Sequence, residues 1–257
     1  MTRNIGHGGG FEEQSIELLP AFFALATANI CIGGTKLKKA ENFLVSAFWN
    51  LLKSTSDESE KRSDEESVSQ EEIDRFKAGL HKTFGRFFLA QSTPEAFNNA
   101  LEHLTKGIYL ECIEFGPENY RMCSSYYYMG ELFKKENERE KAKAFFSKII
   151  QIWRKFILDN DNEQMMQEFD VIYYEEAEQH LRHMLEYFEM EFGPNHLIFA
   201  DCQFTYGLVC LQIGDQDLQH NGIESIKNAR EIYANTLGDF DEQTEKVQQV
   251  LQSIGDR

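Results

Sequence analysis

Residues 126–149 read YYYMGELFKKENEREKAKAFFSKI and carry the spacing that decides the fold. The first half places a bulky, a small and an aromatic residue on one face of a helix: Met129, Gly130 and Phe133. After a polar turn, a matching set follows at i, i+4 and i+7: Ala142, Phe146 and Ile149. Small residues let two helices approach closely, and aromatic residues fill the space beside them. We therefore expect a helical hairpin here.

The same pattern recurs along the chain, with insertions between its two halves. The further sets are Leu25, Ala26, Asn29 with Ala40, Leu44, Ala47; Phe84, Gly85, Phe88 with Ala100, Leu104, Gly107; and Tyr206, Gly207, Cys210 with Gly222, Ile226, Ala229. A half-match at Ala177, Leu181 and Met184 follows a degraded first helix around 163–173. This is the pattern of the 34-residue tetratricopeptide repeat. It predicts an all-α, tetratricopeptide-repeat α-solenoid, a right-handed superhelix of helical hairpins; an ordinary helical bundle is the alternative.

Helical periodicity covers most of the chain. It predicts helices over 15–32, 36–53, 70–91, 94–113, 118–136, 138–157, 163–190, 196–213 and 221–236, and a short one over 240–253. The motif EFGP occurs twice, at Glu114 and Glu191, and each time an aromatic, glycine-containing apolar run follows. Glycine ends helices and proline begins them, so both motifs predict boundaries between hairpins.

Composition predicts the domain limits. We expect a flexible tail over 1–14 and one tetratricopeptide domain over 15–257. The stretch KSTSDESEKRSDEESVSQEE, beginning at Lys53, is charged, Ser-rich and nearly devoid of apolar residues. Such a segment buries too little surface to offset its ordering entropy, so it predicts a flexible acidic loop at about 53–70.

Charge and cysteine content narrow the class of protein. The formal net charge of −17 disfavours nucleic acid and anionic membrane surfaces as direct partners. No apolar run is long enough for a membrane span, and the N-terminus has no signal-peptide core. The five cysteines lack any CxxC pair, which is typical of reduced, buried thiols in a cytosolic protein.

The curvature of a tetratricopeptide array gives a groove lined by the first helix of each hairpin. In the predicted register, the groove-facing candidates are Phe23, Thr27, Lys82, Arg86, Tyr127, Glu131 and Phe204. A surface of this kind recognises a peptide or helix. No first helix carries the Lys-x-x-x-Asn pair with which chaperone co-factors bind acidic tails, because Lys82 is followed four residues later by Arg86.

The motifs that could indicate catalysis or ligand binding are weak. GHGGG at 6–10 lacks a preceding strand and a Walker lysine, so a tail is the better interpretation. Glu176, His180 and His183 share neighbouring parts of one helix; a metal site is conceivable, but a solvated helix face is favoured. Cys202 and Cys210 are interpreted as small apolar fillers. We expect no enzyme, no catalytic or metal residues and no cofactor.

The order of three segments resembles a known family: the run from Ile16 to Thr55 with LLKST, then IYLECIEFG at 108–116, then YYYMGELF with IW at 152–153. It is similar to the tetratricopeptide part of the zinc finger MYND domain-containing protein 12 family. The resemblance is best from about Glu17 to Ile157. The family's MYND finger has no counterpart before Glu17, where His7 is the only possible ligand, so zinc is not carried over.

The resemblance implies a role in motile cilia. It suggests a non-catalytic scaffold that helps dock or stabilise a single-headed inner-arm dynein on the axonemal doublet microtubule. The implied partners are a second repeat protein resembling tetratricopeptide repeat protein 29, inner-arm dynein subunits and the doublet. The implied locations are the cytoplasm, the cytoskeleton and the ciliary axoneme. The alternative is a cytoplasmic adaptor or dynein pre-assembly factor that binds a peptide or helix in the groove.

Overall fold

The computed structural model describes residues 16–56, 69–159 and 170–255, and in these ranges the regular structure is entirely helical. They contain ten α-helices: α1 Leu19–Ile32, α2 Leu37–Ser56, α3 Gln70–Gln91, α4 Pro94–Phe115, α5 Cys123–Lys135, α6 Arg139–Asp159, α7 Asp170–Phe192, α8 Leu197–Gln212, α9 Gln216–Leu237 and α10 Glu242–Gly255. The all-α expectation is confirmed for this part of the chain. No helix there combines the length and apolar content that crossing a membrane requires.

Capping residues explain where several helices begin and end. The Ser69 side chain accepts a hydrogen bond from the Glu72 amide at the start of α3, and Thr93 does the same for α4 just before Pro94. Both EFGP motifs end a helix as predicted. Gly116 after α4 has a φ of 80° and Gly193 after α7 a φ of 89°, a region that glycine enters without steric cost.

The chain divides into two compact units at the first of these motifs. Unit 1 ends at Gly116 and unit 2 begins at Pro117. Unit 1 contains α1 to α4, and unit 2 contains α5 to α10. One continuous repeat domain over 15–257 therefore stays a prediction.

Consecutive helices pack as hairpins in both units: α1 with α2, α3 with α4, α5 with α6, and α8 with α9. In three of them, a glycine of one helix faces a bulky residue of the next. A Cβ built on Gly85, Gly130 or Gly207 would lie 2.5, 2.3 or 2.4 Å from side-chain atoms of Leu104, Phe146 or Ile226, respectively. These pairs occupy the positions that the sequence pattern assigned to close helix approach.

Several predicted segments have different limits or cannot be compared. The acidic loop was expected from residue 53, but α2 continues to Ser56; residues 57–68 lie outside the described ranges. The tail over 1–14, with its GHGGG motif, also lies outside them. The degraded first helix expected around 163–173 is covered only from residue 170, where α7 runs on without a break through Ala177.

Candidate functional site

Four of the seven groove candidates lie on α1 and α3 in unit 1. Arg86 donates towards Thr27 Oγ1 at 3.4 Å and Cys31 Sγ at 3.9 Å, which links the two helices. The ring of Phe23 covers Gly79, where a Cβ would approach it to 3.2 Å. Phe23, Thr27 and Arg86 are thus brought together on one half-buried face.

Lys82 has a different environment from the other three. Its Nζ lies 3.1 Å from Glu111 Oε1, and Glu111 on α4 is buried. A buried carboxylate needs a counter-charge, so Lys82 stabilises the packing of α3 on α4. A Lys82 substitution would consequently disturb the fold as well as any bound partner.

The other three groove candidates lie in unit 2, where two of them line one cavity and the third is buried. Tyr127 and Glu131 on α5 line a cavity of about 410 Å³ against α7, which we call the α5–α7 cavity. Phe204 on α8 is 0% exposed and packs beneath the Arg154 guanidinium, 5.2 Å from the ring centroid. The assignment of Phe204 to a partner-facing groove is therefore wrong, because its side chain offers no surface.

The α5–α7 cavity combines ion pairs with aromatic walls. Lys134 Nζ lies 2.5 Å from Glu131 Oε1 and 5.7 Å from the centre of the Tyr187 ring. At the start of α6, Arg139 Nε lies 2.9 Å from Glu191 Oε2 of α7. These pairs leave the charges of the four side chains largely balanced.

Tyr187 is the unusual residue of this cavity. It is 5% exposed, and its buried hydroxyl has no hydrogen-bond partner in the described part of the chain. Burial, and secondarily the Glu191 carboxylate, raises the pKa of Tyr187, so the hydroxyl stays protonated. An unpartnered buried hydroxyl costs free energy that a bound group could recover.

The expected solvated face at Glu176, His180 and His183 is wrong for His180. Its ring is 7% exposed and stacks on Tyr127 with centroids 3.8 Å apart. His183 Nδ1 lies 3.2 Å from the Tyr127 hydroxyl, within hydrogen-bond distance. Glu176 accepts a hydrogen bond from Ser124 Oγ at 2.8 Å. These three side chains therefore support the packing of α5 against α7.

A second concavity of unit 2 was not predicted. It measures about 330 Å³ and lies between α7 and α9 over a floor formed by α8; we call it the α7–α9 groove. Its α7 wall is Arg182, Leu185, Glu186 and Glu189, and its α9 wall is Asn221, Glu224, Ser225 and Asn228. Both sets have i, i+3, i+4, i+7 spacing, so each is a single helix face. The floor is Phe199, Gln203 and Tyr206.

Unit 1 contains an apolar cavity of about 250 Å³ between α2, α3 and α4, with His81 and His103 at its wall. The two Nδ1 atoms lie 2.9 Å apart, so one ring donates to the other. Burial, followed by the charge on His81, lowers the pKa of His103 to about 4; nearby Lys106 also lowers it, and Glu102 opposes the shift. Burial likewise lowers the pKa of His81. Both rings are therefore neutral near pH 7.

Next to this cavity, α2 exposes an apolar stripe at i, i+3, i+4 and i+7: Val45, Phe48, Trp49 and Leu52. The sequence pattern shows these residues as apolar but does not show that they remain uncovered in unit 1. Burial depends on which helices pack against α2, and that is a tertiary property.

The cysteines only partly follow the expectation of buried thiols. Cys123, Cys202 and Cys210 are buried, and Cys31 is exposed. Burial raises the pKa of all three buried thiols, that of Cys210 to about 11. Cys202 and Cys210 are 0% exposed, as expected of small core fillers, but they are not purely apolar: Cys202 Sγ donates to the Leu181 carbonyl at 3.7 Å.

The described side chains do not bring three or more His, Cys, Asp or Glu residues into a group that could hold a metal ion. The two concavities of unit 2 are lined instead by aromatic, charged and amide side chains. A comparison of the sequence with models of protein families finds no match.

Proposed function

We propose that this chain is a non-catalytic interaction scaffold made of tetratricopeptide hairpins in a right-handed superhelix. The observation that carries the proposal is the repeated glycine contact at Gly85, Gly130 and Gly207. Three hairpins with one internal contact at the same pattern position are what a repeat array requires. Repeat arrays present extended surfaces to other chains, and the α5–α7 cavity, with Tyr127 and Glu131 in its wall, is such a surface.

The resemblance to the tetratricopeptide part of the zinc finger MYND domain-containing protein 12 family extends the proposal to motile cilia. In this role the chain helps dock or stabilise a single-headed inner-arm dynein on the axonemal doublet microtubule. Its partners are a second repeat protein resembling tetratricopeptide repeat protein 29 and the inner-arm dynein subunits. The contact with the doublet is direct or passes through those partners.

Localisation and extraction test this role. A tagged full-length chain, expressed in ciliated cells, is expected along the axoneme and is expected to leave isolated axonemes in the same salt extract as an inner-arm dynein. A protein found throughout the cytosol and absent from cilia would contradict the scaffold role. Such a result, together with dynein subunits in cytosolic pull-downs, would favour the adaptor or pre-assembly alternative instead.

A further inference from the structure

We propose that the α7–α9 groove and the adjoining α5–α7 cavity form one docking surface for a basic, extended segment of a partner chain. The inference rests on the proposed interaction role of unit 2 and not on its location in cilia. It names the chemistry of the partner: lysine or arginine side chains carried on a peptide backbone.

The two concavities are continuous on α7. Glu186 lines both of them, with His183 and Tyr187 on the cavity side and Arg182 and Glu189 on the groove side. Each groove wall spans eight helical residues, whose seven steps of 1.5 Å cover about 10 Å. An extended chain covers that length with about three residues. The groove alone thus holds a short segment, and the cavity receives its continuation.

The charge of the surface selects a basic ligand. The side-chain carboxylates of Glu186, Glu189 and Glu224 have no ion-pair or hydrogen-bond partner in the ranges that the structure describes. The one cation of the groove wall, Arg182, lies 3.1 Å from Glu178, which also accepts a hydrogen bond from Tyr206.

The basic side chains on the cavity side also form ion pairs within unit 2. Lys134 pairs with Glu131, and Arg139 pairs with Glu191. Three carboxylates therefore remain uncompensated. They would attract a basic segment and repel an acidic one.

Two buried polar atoms on this surface lack partners, one in each concavity. They are the hydroxyl of Tyr187, a residue that is only 5% exposed, and Oε1 of Gln203 in the groove floor. The first can donate to a backbone carbonyl, and the second can accept from a backbone amide or a basic side chain. The Tyr187 hydroxyl proton needs an acceptor, which a backbone carbonyl supplies and a simple cation does not, so it indicates a peptide.

Fluorescence anisotropy of a labelled Gly-Lys-Arg-Lys-Gly peptide with the full chain, at about 0.1 M salt, tests the charge. The groove variant combines Glu186→Gln, Glu189→Gln and Glu224→Gln. The matched control combines Glu136→Gln, Glu175→Gln and Glu231→Gln, which removes the same charge from exposed sites of unit 2 outside the surface. We expect the groove variant to bind about tenfold more weakly or worse, and the control within about twofold of the parent chain.

The outcomes distinguish binding at the docking surface from attraction to the overall negative charge of the chain. Equal weakening in both triple variants would mean that the peptide responds only to net charge and would overturn the proposal. Retained affinity in the groove variant, or equal binding of a Gly-Glu-Asp-Glu-Gly peptide, would also overturn it.

Tyr187→Phe and Gln203→Leu test the two unpartnered atoms. Each should weaken peptide binding by about threefold to tenfold, while the urea midpoint of unfolding stays unchanged or rises, because the lost group has no partner in the free chain. A lower midpoint would show that the group already has a structural partner, and unchanged affinity would exclude the group from the site; either result overturns this assignment. A chain that reaches axonemes yet fails the peptide assay retains the proposed function without this ligand.

Discussion

Gly130→Ala tests the contact on which the hairpin assignment depends. The added Cβ would lie 2.3, 2.7 and 2.9 Å from three carbons of the Phe146 ring, closer than side chains approach one another in folded proteins. Phe146 is 0% exposed and has little room to turn away. The rings of Tyr127, Tyr187 and Phe188 surround it with centroids 6.0, 5.5 and 6.0 Å away.

Two opposing effects set the magnitude. Replacing glycine by alanine inside α5 gains up to about 1 kcal/mol of helix propensity. Overpacking a rigid core costs about 1–3 kcal/mol, and an approach of 2.3 Å places Gly130 at the upper end. We therefore expect a net loss of about 2 kcal/mol in the free energy of unfolding, or about 4–8 °C in Tm. Gly130→Leu adds further carbons and should prevent unit 2 from folding.

Tryptophan fluorescence during urea unfolding measures this loss. The chain has two tryptophans, the exposed Trp49 in unit 1 and the buried Trp153 in unit 2, so a Trp49→Phe background makes the signal specific to unit 2. Gly255→Ala is the control, because a Cβ there meets no atom within 4 Å.

A double variant tests the cause. Adding Phe146→Leu to Gly130→Ala should cost less than the sum of the two single changes, since the smaller side chain relieves the contact. Additive losses, or a Gly130→Ala variant as stable as the Gly255→Ala control, would refute the close-approach reasoning.

Three predictions concern unit 1. Lys82→Glu places a second carboxylate against the buried Glu111 and should lower the free energy of unfolding by about 3 kcal/mol in urea titrations, whereas adding Glu111→Lys should restore most of it. The folded-state pKa of His103, about 4, lies below its unfolded value of about 6.5. The contribution of neutral His103 to stability is therefore fully present above pH 6.5 and is lost as the pH falls towards 4. The free energies of unfolding from urea titrations at pH 7.5 and at pH 5 should differ by on the order of 1 kcal/mol, because solvent screening of the half-buried ring weakens the effect, and His103→Gln should reduce that difference. Cys31 should react first with a thiol reagent added to the native chain, and Cys31→Ser should remove that fast phase, because buried thiols are protected.

The existence of the helices was predictable from periodicity, but their exact limits were predicted only in part. Both limits of α3, over 70–91, were predicted from its periodicity; Ser69 caps its start, and Pro94 follows soon after its end. The start of α9 was predicted at 221 but lies at Gln216, since its first turn is polar and only the Asp215 cap marks it. The start of α5 was expected at 118 but lies at Cys123, after a short 3₁₀ turn that Asn119 caps.

The candidate surface was harder to predict, because it depends on contacts between distant helices. Phe204 was misplaced since α8 is apolar and buried on nearly every face, so its periodicity does not identify an inner side. In the sequence His180 resembles a surface residue, but in the structure the ring of Tyr127 from α5 stacks on it. The α7–α9 groove was missed because its polar walls have the composition of a solvated helix face.

Because Glu186 borders both concavities of unit 2, they would not act as independent sites in the proposed docking. One carboxylate gains most from one cation at a time, so two separate basic ligands would bind with negative cooperativity. A single chain that crosses α7 avoids this competition, and once one end has bound, its other end is held at a high effective concentration. The affinity for a partner should therefore depend more on the length and continuity of its basic segment than on its charge density alone.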